Sequence, residues 1–342
     1  MSRPSIPADC LQPVPTEELA VVSADGTRLH VEVHGQPGAP TVVLAHGWTC
    51  STDFWAPVIH RLSDRYRLVA YDQRGHGRSE IPPSRVRYST RALAEDLSAV
   101  LTRVVPQGER AVLVGHSMGG MTVMAGSARP EVAERTAAAV LVSTGPSDLV
   151  DELRVVPGAV RSPGVRRFLH RQILRSRLPL GPVGPVTRAG LGYGIMGAGA
   201  PAARVDVAVR MVHACPAGVR ANWARVLERL DVRAGLARLV APTSVVVGSE
   251  DRLTPPVHAH RMVAALADPQ GLLLLPGVGH MAPIERPAET AAEIDRMATA
   301  HLPGARPGGG ESAADSGAGP GSGSESTIDP EATTDPERTA VA

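Results

Sequence analysis

The 342-residue sequence contains no lysine, and all 35 of its basic residues are arginine. Against 34 acidic residues they leave a formal net charge of +1, so the chain as a whole has no charge excess that would favour nucleic acid. Aromatic residues make up 3% of the chain, too few for the aromatic platforms on which unpaired bases stack. We therefore expect no nucleic-acid partner.

Cysteine and long apolar runs are scarce as well. Cys10, Cys50 and Cys215 are odd in number and far apart. That pattern is neither a disulfide framework nor a metal cluster, and it is typical of a reducing compartment. No apolar run approaches eighteen residues, and residues 1–15 are broken by proline and lack the apolar core of a signal peptide. The sequence thus predicts a cytoplasmic protein without a transmembrane segment.

Along the chain, segments with the pattern of a strand alternate with segments with the pattern of a helix. A hairpin is expected over 19–33, where apolar and polar positions alternate around a turn at 24–27. Further strands are predicted at 41–45, 66–71, 111–114, 137–143, 242–248 and 271–275, and helices at 54–63, 90–104, 118–128, 255–267 and 287–301. Such alternation predicts an α/β fold with a mostly parallel, twisted sheet flanked by helices.

The pattern divides the chain into segments. Residues 1–17 are expected to form a loose lead-in, and 18–145 with 227–302 to form the α/β core. Residues 146–226, called the inserted segment below, are broken by proline and glycine and carry twelve arginines against four acids. We interpret them as an inserted helical cap, whose clearest helix covers 165–178 with Val165, Phe168 and Ile173 on one side. Residues 303–342 are rich in Gly, Ser and acids and are expected to be disordered.

The motif richest in chemistry is AVLVGHSMGGM, at residues 111–121. A short apolar strand leads into G-x-S-x-G, and a run of small and apolar residues follows. This is the context of a nucleophile elbow. The sharp turn strains the backbone at Ser117, and side chains two positions away would clash, which accounts for Gly115 and Gly119. The backbone N–H of Met118 is then placed to stabilise an oxyanion.

A serine hydroxyl needs a base, and the base needs a group that orients it. Asp251 follows one predicted strand and His280 follows the last, so the chain offers Ser, acid and His in the order expected of such an elbow. All three follow strands, and the carboxyl ends of parallel strands gather at one edge of a sheet. His280 is predicted to be the base, and Asp251 to fix its tautomer. Glu250 and Asp148 are alternative acids.

Five motifs together resemble the α/β-hydrolase superfamily, and more narrowly its capped esterases and lipases. They are His46-Gly47-Trp48, the run Asp72 to Ser79 (DQRGHGRS), GHSMGG at 115–120, Gly248-Ser249-Glu250-Asp251 and Gly279-His280. The resemblance covers about residues 18–302. It implies that Trp48 donates a second oxyanion N–H beside that of Met118, and that the run 72–79 is a structural turn.

Four further residues are pocket candidates: His46, Gly47, Cys50 and Tyr193. His46 is also interpreted as a residue that shapes the oxyanion loop, and Cys50 as a buried, inert thiol. His258 and His260 are two residues apart, a spacing that can bind metal in a strand, but they lie in a predicted helix and face apart. We expect no metal ion and no cofactor.

The predicted activity is hydrolysis of a carboxylic ester through an acyl-enzyme on Ser117. Serine at the elbow argues against epoxide hydrolases and haloalkane dehalogenases, which use aspartate there. Alternatives with the same three residues are a thioesterase or acyltransferase acting on acyl-coenzyme A or carrier-bound acyl groups, and a C–C bond hydrolase. A different class is a noncatalytic ligand-binding protein on the same fold.

The arginines of the inserted segment leave its partners open. Their excess of eight positive charges could hold the phosphates of coenzyme A or of a carrier-protein arm, form a solvated face, or rest on anionic lipid as a peripheral contact. The expected partner is a small-molecule ester or thioester. The sequence does not predict the oligomeric state.

Overall fold

A β-sheet forms the core of the fold. The computed structural model describes residues 5–156, 159–177 and 181–305. Within these residues the sheet has eight strands: β1 (Glu17–Val22), β2 (Arg28–His34), β3 (Thr41–Ala45), β4 (Arg67–Tyr71), β5 (Ala111–His116), β6 (Thr136–Val142), β7 (Thr243–Gly248) and β8 (Pro269–Leu275).

The order of the strands is β1-β2-β4-β3-β5-β6-β7-β8. The hairpin β1–β2 and the pair β2–β4 are antiparallel, whereas the pairs from β4 through β3, β5, β6 and β7 to β8 are parallel. The predicted α/β fold with a mostly parallel sheet is confirmed. Because β3 to β8 run in the same direction, their carboxyl ends share one edge, where the loops that carry function are expected.

Helices lie between the strands and after the last one. Those described are α1 (Ala56–Leu62), α2 (Thr90–Val104), α3 (Met118–Gly126), α4 (Pro130–Arg135), α5 (Leu149–Glu152), α6 (Pro163–Arg175), α7 (Pro185–Ile195), α8 (Ala202–Ala214), α9 (Ala217–Leu227), α10 (Arg233–Leu236), α11 (Pro256–Ala265), α12 (Ala282–Glu285) and α13 (Pro287–His301).

The sheet is buried on both faces, as its apolar strands require. Side chains alternate along β5, so Leu113 packs with α2 on one face while Val112 and Val114 pack with α1 and α13 on the other. Each face therefore has its own apolar cluster. This double cover explains why β3, β5 and β6 read as continuous apolar runs rather than as alternating ones.

Several predicted elements match closely. The helices predicted at 90–104 and 287–301 are α2 and α13 with the same bounds. Ser89 caps α2 by accepting a hydrogen bond from the backbone N–H of Ala92 at 3.1 Å. The strand predicted at 271–275 begins two residues earlier, at Pro269. The helix predicted at 54–63 is a short 3₁₀ turn followed by α1.

Helices α5 to α9 lie in the inserted segment, between β6 and β7. The helix predicted at 165–178 is α6, which ends at Arg175, and position 178 lies outside the described residues. The predicted apolar side of α6 is not fully covered, since Val165, Phe168 and Ile173 are all exposed. The disordered tail predicted at 303–342 lies outside the described residues from 306 onward.

The N-terminal lead-in is less loose than expected where the structure describes it. Cys10 is buried, and Asp9 lies 3.2 Å from Arg61 and 2.9 Å from Arg204. These ion pairs hold the lead-in against α1 and α8. Among the described residues, none of the helices combines the length and the apolar character that crossing a bilayer requires.

Candidate active site

Ser117 occupies a sharp turn between β5 and α3. Its backbone has φ 50° and ψ −116°, a strained conformation for a residue with a side chain. The turn is held by hydrogen bonds from the N–H of Ser117 to the Val142 carbonyl at 2.9 Å and from Thr144 Oγ1 to the Ser117 carbonyl at 2.7 Å. The strain therefore persists because the surrounding structure fixes it.

The glycines on either side leave no room for a side chain. A Cβ at Gly119 would overlap the carbonyl oxygen of Ala45, and one at Gly115 would lie 2.5 Å from the backbone of Gly119. The turn is therefore packed directly against the end of β3. This close backbone approach explains why glycine is required at both positions.

His280 and Asp251 form a buried pair at the same edge of the sheet. His280 Nδ1 lies 2.9 Å from Asp251 Oδ2, and both residues are almost fully buried. The carboxylate also accepts hydrogen bonds from the backbone N–H groups of Leu253 and Thr254 and from Thr254 Oγ1, each at 2.9 Å. A carboxylate beside Nδ1 favours the imidazole tautomer that carries its proton on Nδ1, and in that tautomer Nε2 has a free lone pair.

Ser117 and His280 line one cavity of about 290 Å³. No hydrogen bond joins their side chains among the described residues, as is common before a substrate tightens such a site. Most of the remaining lining is apolar and comes from the inserted segment, including Leu149, Val150, Leu153, Ile173, Leu191, Ile195, Val212 and Ala224. Ser117 and His280 therefore lie beside a largely apolar cavity. Asp251 does not line the cavity itself but contacts His280.

Of the two predicted oxyanion donors, Trp48 lines this cavity and Met118 directly follows Ser117. Met118 is the first residue of α3. The indole Nε1 of Trp48 donates to the carbonyl of Arg220 at 3.2 Å. The next residue, Thr49, has φ 67°, so the chain turns sharply just beyond Trp48.

The run 72–79 anchors the loop that carries Trp48. Asp72 Oδ1 accepts from the N–H of Thr52 at 2.9 Å, and His46 Nε2 accepts from the N–H of Gln73 at 3.0 Å. Burial raises the pKa of Asp72 to about 6, although hydrogen bonds from the Arg78 and Thr52 N–H groups act to lower it. These contacts are consistent with the structural turn implied by the resemblance.

Three of the four pocket candidates do not line the cavity. His46 is fully buried, and its Nδ1 donates to the Gly47 carbonyl at 2.7 Å. Burial and the neighbouring His76 lower the pKa of His46 to about 3, so the ring is neutral and shapes the loop. Cys50 lines a different cleft, and burial raises the pKa of its thiol. A Cβ at Gly47 would meet His116 rather than open space.

The fourth candidate, Tyr193, does line the cavity. Its ring lies under the guanidinium of Arg252, 4.4 Å from the ring centroid. The alternative acids are placed elsewhere. Glu250 accepts a hydrogen bond from the N–H of Ala198 at 2.8 Å, and Asp148 accepts from Ser147 Oγ at 2.7 Å.

Sequence reasoning missed one supporting residue, Thr254, and a second, His116 of the elbow motif, packs at the site. Thr254 bonds to Asp251 and lies 3.3 Å from His280 Nδ1. His116 Nε2 donates to the carbonyl of His280 at 2.9 Å, and burial together with the nearby His280 lowers the pKa of His116, so that ring stays neutral. The position of Thr254 three residues after Asp251 is a signal that sequence reasoning could have used.

Comparison with known proteins places the chain in a family. A model of the alpha/beta hydrolase family matches residues 42–293. The chain is 30% identical over 281 residues to a pimeloyl-[acyl-carrier protein] methyl ester esterase of Xanthomonas campestris, covering 80% of this chain and all of that protein. The chain therefore belongs to the α/β-hydrolase family.

Other matches are partial or concern the fold. A probable oxidoreductase, EphD, of Mycobacterium tuberculosis is 38% identical over 154 residues, 45% of this chain and a quarter (25%) of that protein's length. The crystal structure of an esterase from Exiguobacterium antarcticum superposes with a TM-score of 0.67 at 19% identity, covering 83% of this chain and all of the esterase. The latter likeness shows the fold alone.

Proposed function

We propose that the protein is a serine hydrolase that cleaves carboxylic esters through an acyl-enzyme on Ser117. His280 Nε2 takes the proton of Ser117 Oγ as the oxygen attacks the ester carbonyl. The N–H groups of Met118 and Trp48 stabilise the oxyanion. His280 then gives the proton to the departing alcohol, and a water molecule attacks the acyl-enzyme in the same way to release the acid.

The observation that carries this proposal is the position of the buried His280–Asp251 pair beside the strained Ser117 turn. A histidine whose Nδ1 is held by a carboxylate at 2.9 Å has its other nitrogen available, and that histidine lines the cavity that Ser117 also lines. Such a pair beside a noncatalytic serine would have no structural purpose that a packed apolar core could not serve better.

We further propose that the inserted segment acts as a cap over this cavity. Leu149, Ile173, Leu191, Val212 and Ala224 all come from it and face the chamber that holds Ser117. Because the lining is apolar, burial of an apolar acyl or alcohol group contributes to binding. The relatives include a methyl ester esterase, which supports an ester as the substrate class.

Several of the twelve arginines of the inserted segment have carboxylate partners. Arg167 pairs with Asp151, Arg171 and Arg175 pair with Glu228, and Arg188 and Arg210 pair with Asp206. These pairs satisfy those arginines without a phosphate, so the basic charge of the segment does not by itself favour coenzyme A over a simple ester.

The test compares purified wild type with Ser117→Ala and with Ser84→Ala, a matched change at an exposed serine. Release of p-nitrophenol is measured from acyl esters of two, four, eight and twelve carbons, beside the matching acyl-coenzyme A series. We expect ester turnover in wild type and Ser84→Ala, and a loss on the order of 10⁴-fold or more in Ser117→Ala.

Other outcomes assign other classes. Preference for the coenzyme A series would move the protein to the thioesterases. Turnover that survives Ser117→Ala would exclude the proposed mechanism. Cleavage of a diketone into a carboxylic acid and a ketone, with no hydrolysis of the esters, would identify a C–C bond hydrolase.

A further inference from the structure

A second cluster of ionisable side chains lies away from Ser117, on the hairpin β1–β2. His30, Glu32 and His34 alternate along β2, so their side chains leave the same face of the strand. Glu18 on β1 pairs directly with Glu32 in the antiparallel register. Two carboxylates opposite each other destabilise a hairpin unless a cation lies between them.

The ligand-type atoms of this cluster are close together. His30 Nε2 lies 3.0 Å from Glu32 Oε1, and one ligand atom from each of Glu18, His30 and Glu32 falls within 4.8 Å of the others. Tetrahedral zinc sites with bonds of about 2.0–2.1 Å place their ligand atoms roughly 3.3 Å apart. Small side-chain movements would therefore bring the three atoms to that spacing.

A buried histidine whose ring makes no hydrogen bond among the described residues lies beside the same carboxylate. His34 is 2% exposed, and neither of its ring nitrogens makes a hydrogen bond among the described residues. Its Nε2 lies 3.5 Å from Glu32 Oε2, the oxygen that also accepts from Gln12 Nε2 at 2.6 Å. A metal-bound carboxylate commonly has its second oxygen held by such neighbours.

The two carboxylates of the cluster border an open cleft. Gln12, Glu18 and Glu32 line a cleft of about 820 Å³, together with Asp53 and Asp72. Burial is the main cause that raises the pKa of Asp53, and the negative charge of Glu32 adds to it. The cleft therefore collects several carboxylates and has a path for a cation.

The guanidinium of Arg78 lies beside Glu18 and Glu32, so a metal ion would compete with it for these carboxylates. Its guanidinium donates to both oxygens of Glu18, at 2.8 and 2.7 Å, and lies 3.8 Å from Glu32 Oε1. The side chain is 60% exposed, so it can swing away from Glu18 at small cost.

We propose that Glu18, His30 and Glu32 bind a divalent transition-metal ion such as Zn²⁺, with His34 and Gln12 fixing the Glu32 carboxylate. The imidazole nitrogen favours zinc-like ions over Mg²⁺ and Ca²⁺, which take oxygen ligands. The ion clamps the edge strand β1 and the lead-in at Gln12 to β2. This site is independent of the proposed esterase activity.

The test is calorimetric titration of ZnCl₂ into untagged, full-length protein that has been treated with EDTA and dialysed. We expect one equivalent to bind wild type, His30→Gln to weaken binding by at least ~10-fold, and Arg78→Gln to tighten it severalfold, because the competing cation is removed. His260→Gln, at an exposed histidine of α11, is the matched control and is expected to bind as wild type does.

Circular dichroism checks that each variant is folded. If His30→Gln does not fold, Glu18→Gln, at an exposed ligand on the edge strand, replaces it. Absence of saturable zinc binding in wild type overturns the proposal. So does equal affinity in the ligand variants, weaker binding in Arg78→Gln, or equally tight binding of MgCl₂.

Discussion

Two histidines of this protein lie beside a carboxylate at nearly the same distance, and their surroundings make them different. His280 Nδ1 is 2.9 Å from Asp251, and His30 Nε2 is 3.0 Å from Glu32. The Asp251 carboxylate also accepts hydrogen bonds from the hydroxyl of Thr254 and from two backbone N–H groups. The Glu32 carboxylate contacts His34 and Gln12 through one oxygen. Arg78 lies near its other oxygen, and Glu18 is close by.

The contrast shows that a His–carboxylate pair does not define a function by itself. The carboxylate of Asp251 accepts hydrogen bonds from neutral donors and contacts His280, which lines the same cavity as Ser117. Glu32 lies opposite a second carboxylate, Glu18, and both line an open cleft. The following predictions separate the two pairs.

The largest contrast is expected from the same substitution at both histidines. His280→Gln removes the proposed base, so kcat on p-nitrophenyl butyrate should fall on the order of 10⁵-fold. His30→Gln should change kcat by less than about twofold, because that residue is outside the proposed catalytic machinery. Steady-state assays in EDTA measure both, and a large loss in His30→Gln would show that the two clusters are not separate.

A smaller but still large effect is expected when the orienting carboxylate is replaced. Asp251→Asn should lower kcat on the order of 10⁴-fold, because the amide no longer stabilises the imidazolium and can favour the wrong tautomer. Glu250→Gln, at the adjacent acid bonded to the N–H of Ala198, is the control and should stay within a few-fold of wild type. Equal losses in the two variants would contradict the assignment of Asp251.

The elbow itself is expected to be sensitive to a single methyl group. Gly119→Ala pushes a Cβ into the Ala45 carbonyl and should destabilise the fold by on the order of 3 kcal/mol. Gly164→Ala, where an added Cβ meets nothing within 4 Å, should be neutral or slightly stabilising. Urea unfolding measures both, and a Gly119→Ala variant as stable as wild type would count against the tight turn.

The smallest effect concerns the pH dependence of Glu32. Burial acts to raise the pKa of Glu32, but the close contacts of its carboxylate with His30, His34 and Gln12 outweigh burial and hold the pKa well below its usual range. A lowered carboxyl pKa contributes stability above pH about 4.5, and that stability is lost as the pH falls below this value.

Glu32→Gln should therefore cost roughly 2 kcal/mol at pH 7, and the difference from wild type should shrink between pH 4.5 and 3. Urea unfolding in EDTA at a series of pH values measures this difference. A penalty that stays constant across the series would show that the charge of Glu32 contributes nothing.

Much of the sheet could be predicted from the sequence, because strands buried on both faces leave long apolar runs and their ends carry polar motifs. The bounds of α2 and α13 follow from amphipathic periodicity, and for α2 also from a capping serine. The inserted segment could not be predicted in this detail. Its helices α7 and α8 contain glycine and alanine rather than a clear apolar stripe, and their positions depend on packing against the cavity.

The candidate site shows the same division. Ser117, Asp251 and His280 each follow a strand, so topology brings them to one edge. Cys50 was a reasonable pocket candidate because it is two residues from Trp48, yet the turn at Thr49 directs it to another cleft. The His30, Glu32, His34 alternation on β2 is a sequence signal that gains meaning only when the register places Glu18 opposite Glu32.

The most direct test of the central claim is covalent labelling by diethyl p-nitrophenyl phosphate, followed by intact-mass and peptide mass spectrometry. An activated Ser117 predicts one diethylphosphoryl group per chain, located on Ser117, absent from Ser117→Ala and formed far more slowly in His280→Gln. No adduct in folded wild type, or an adduct that persists in Ser117→Ala, would contradict the account.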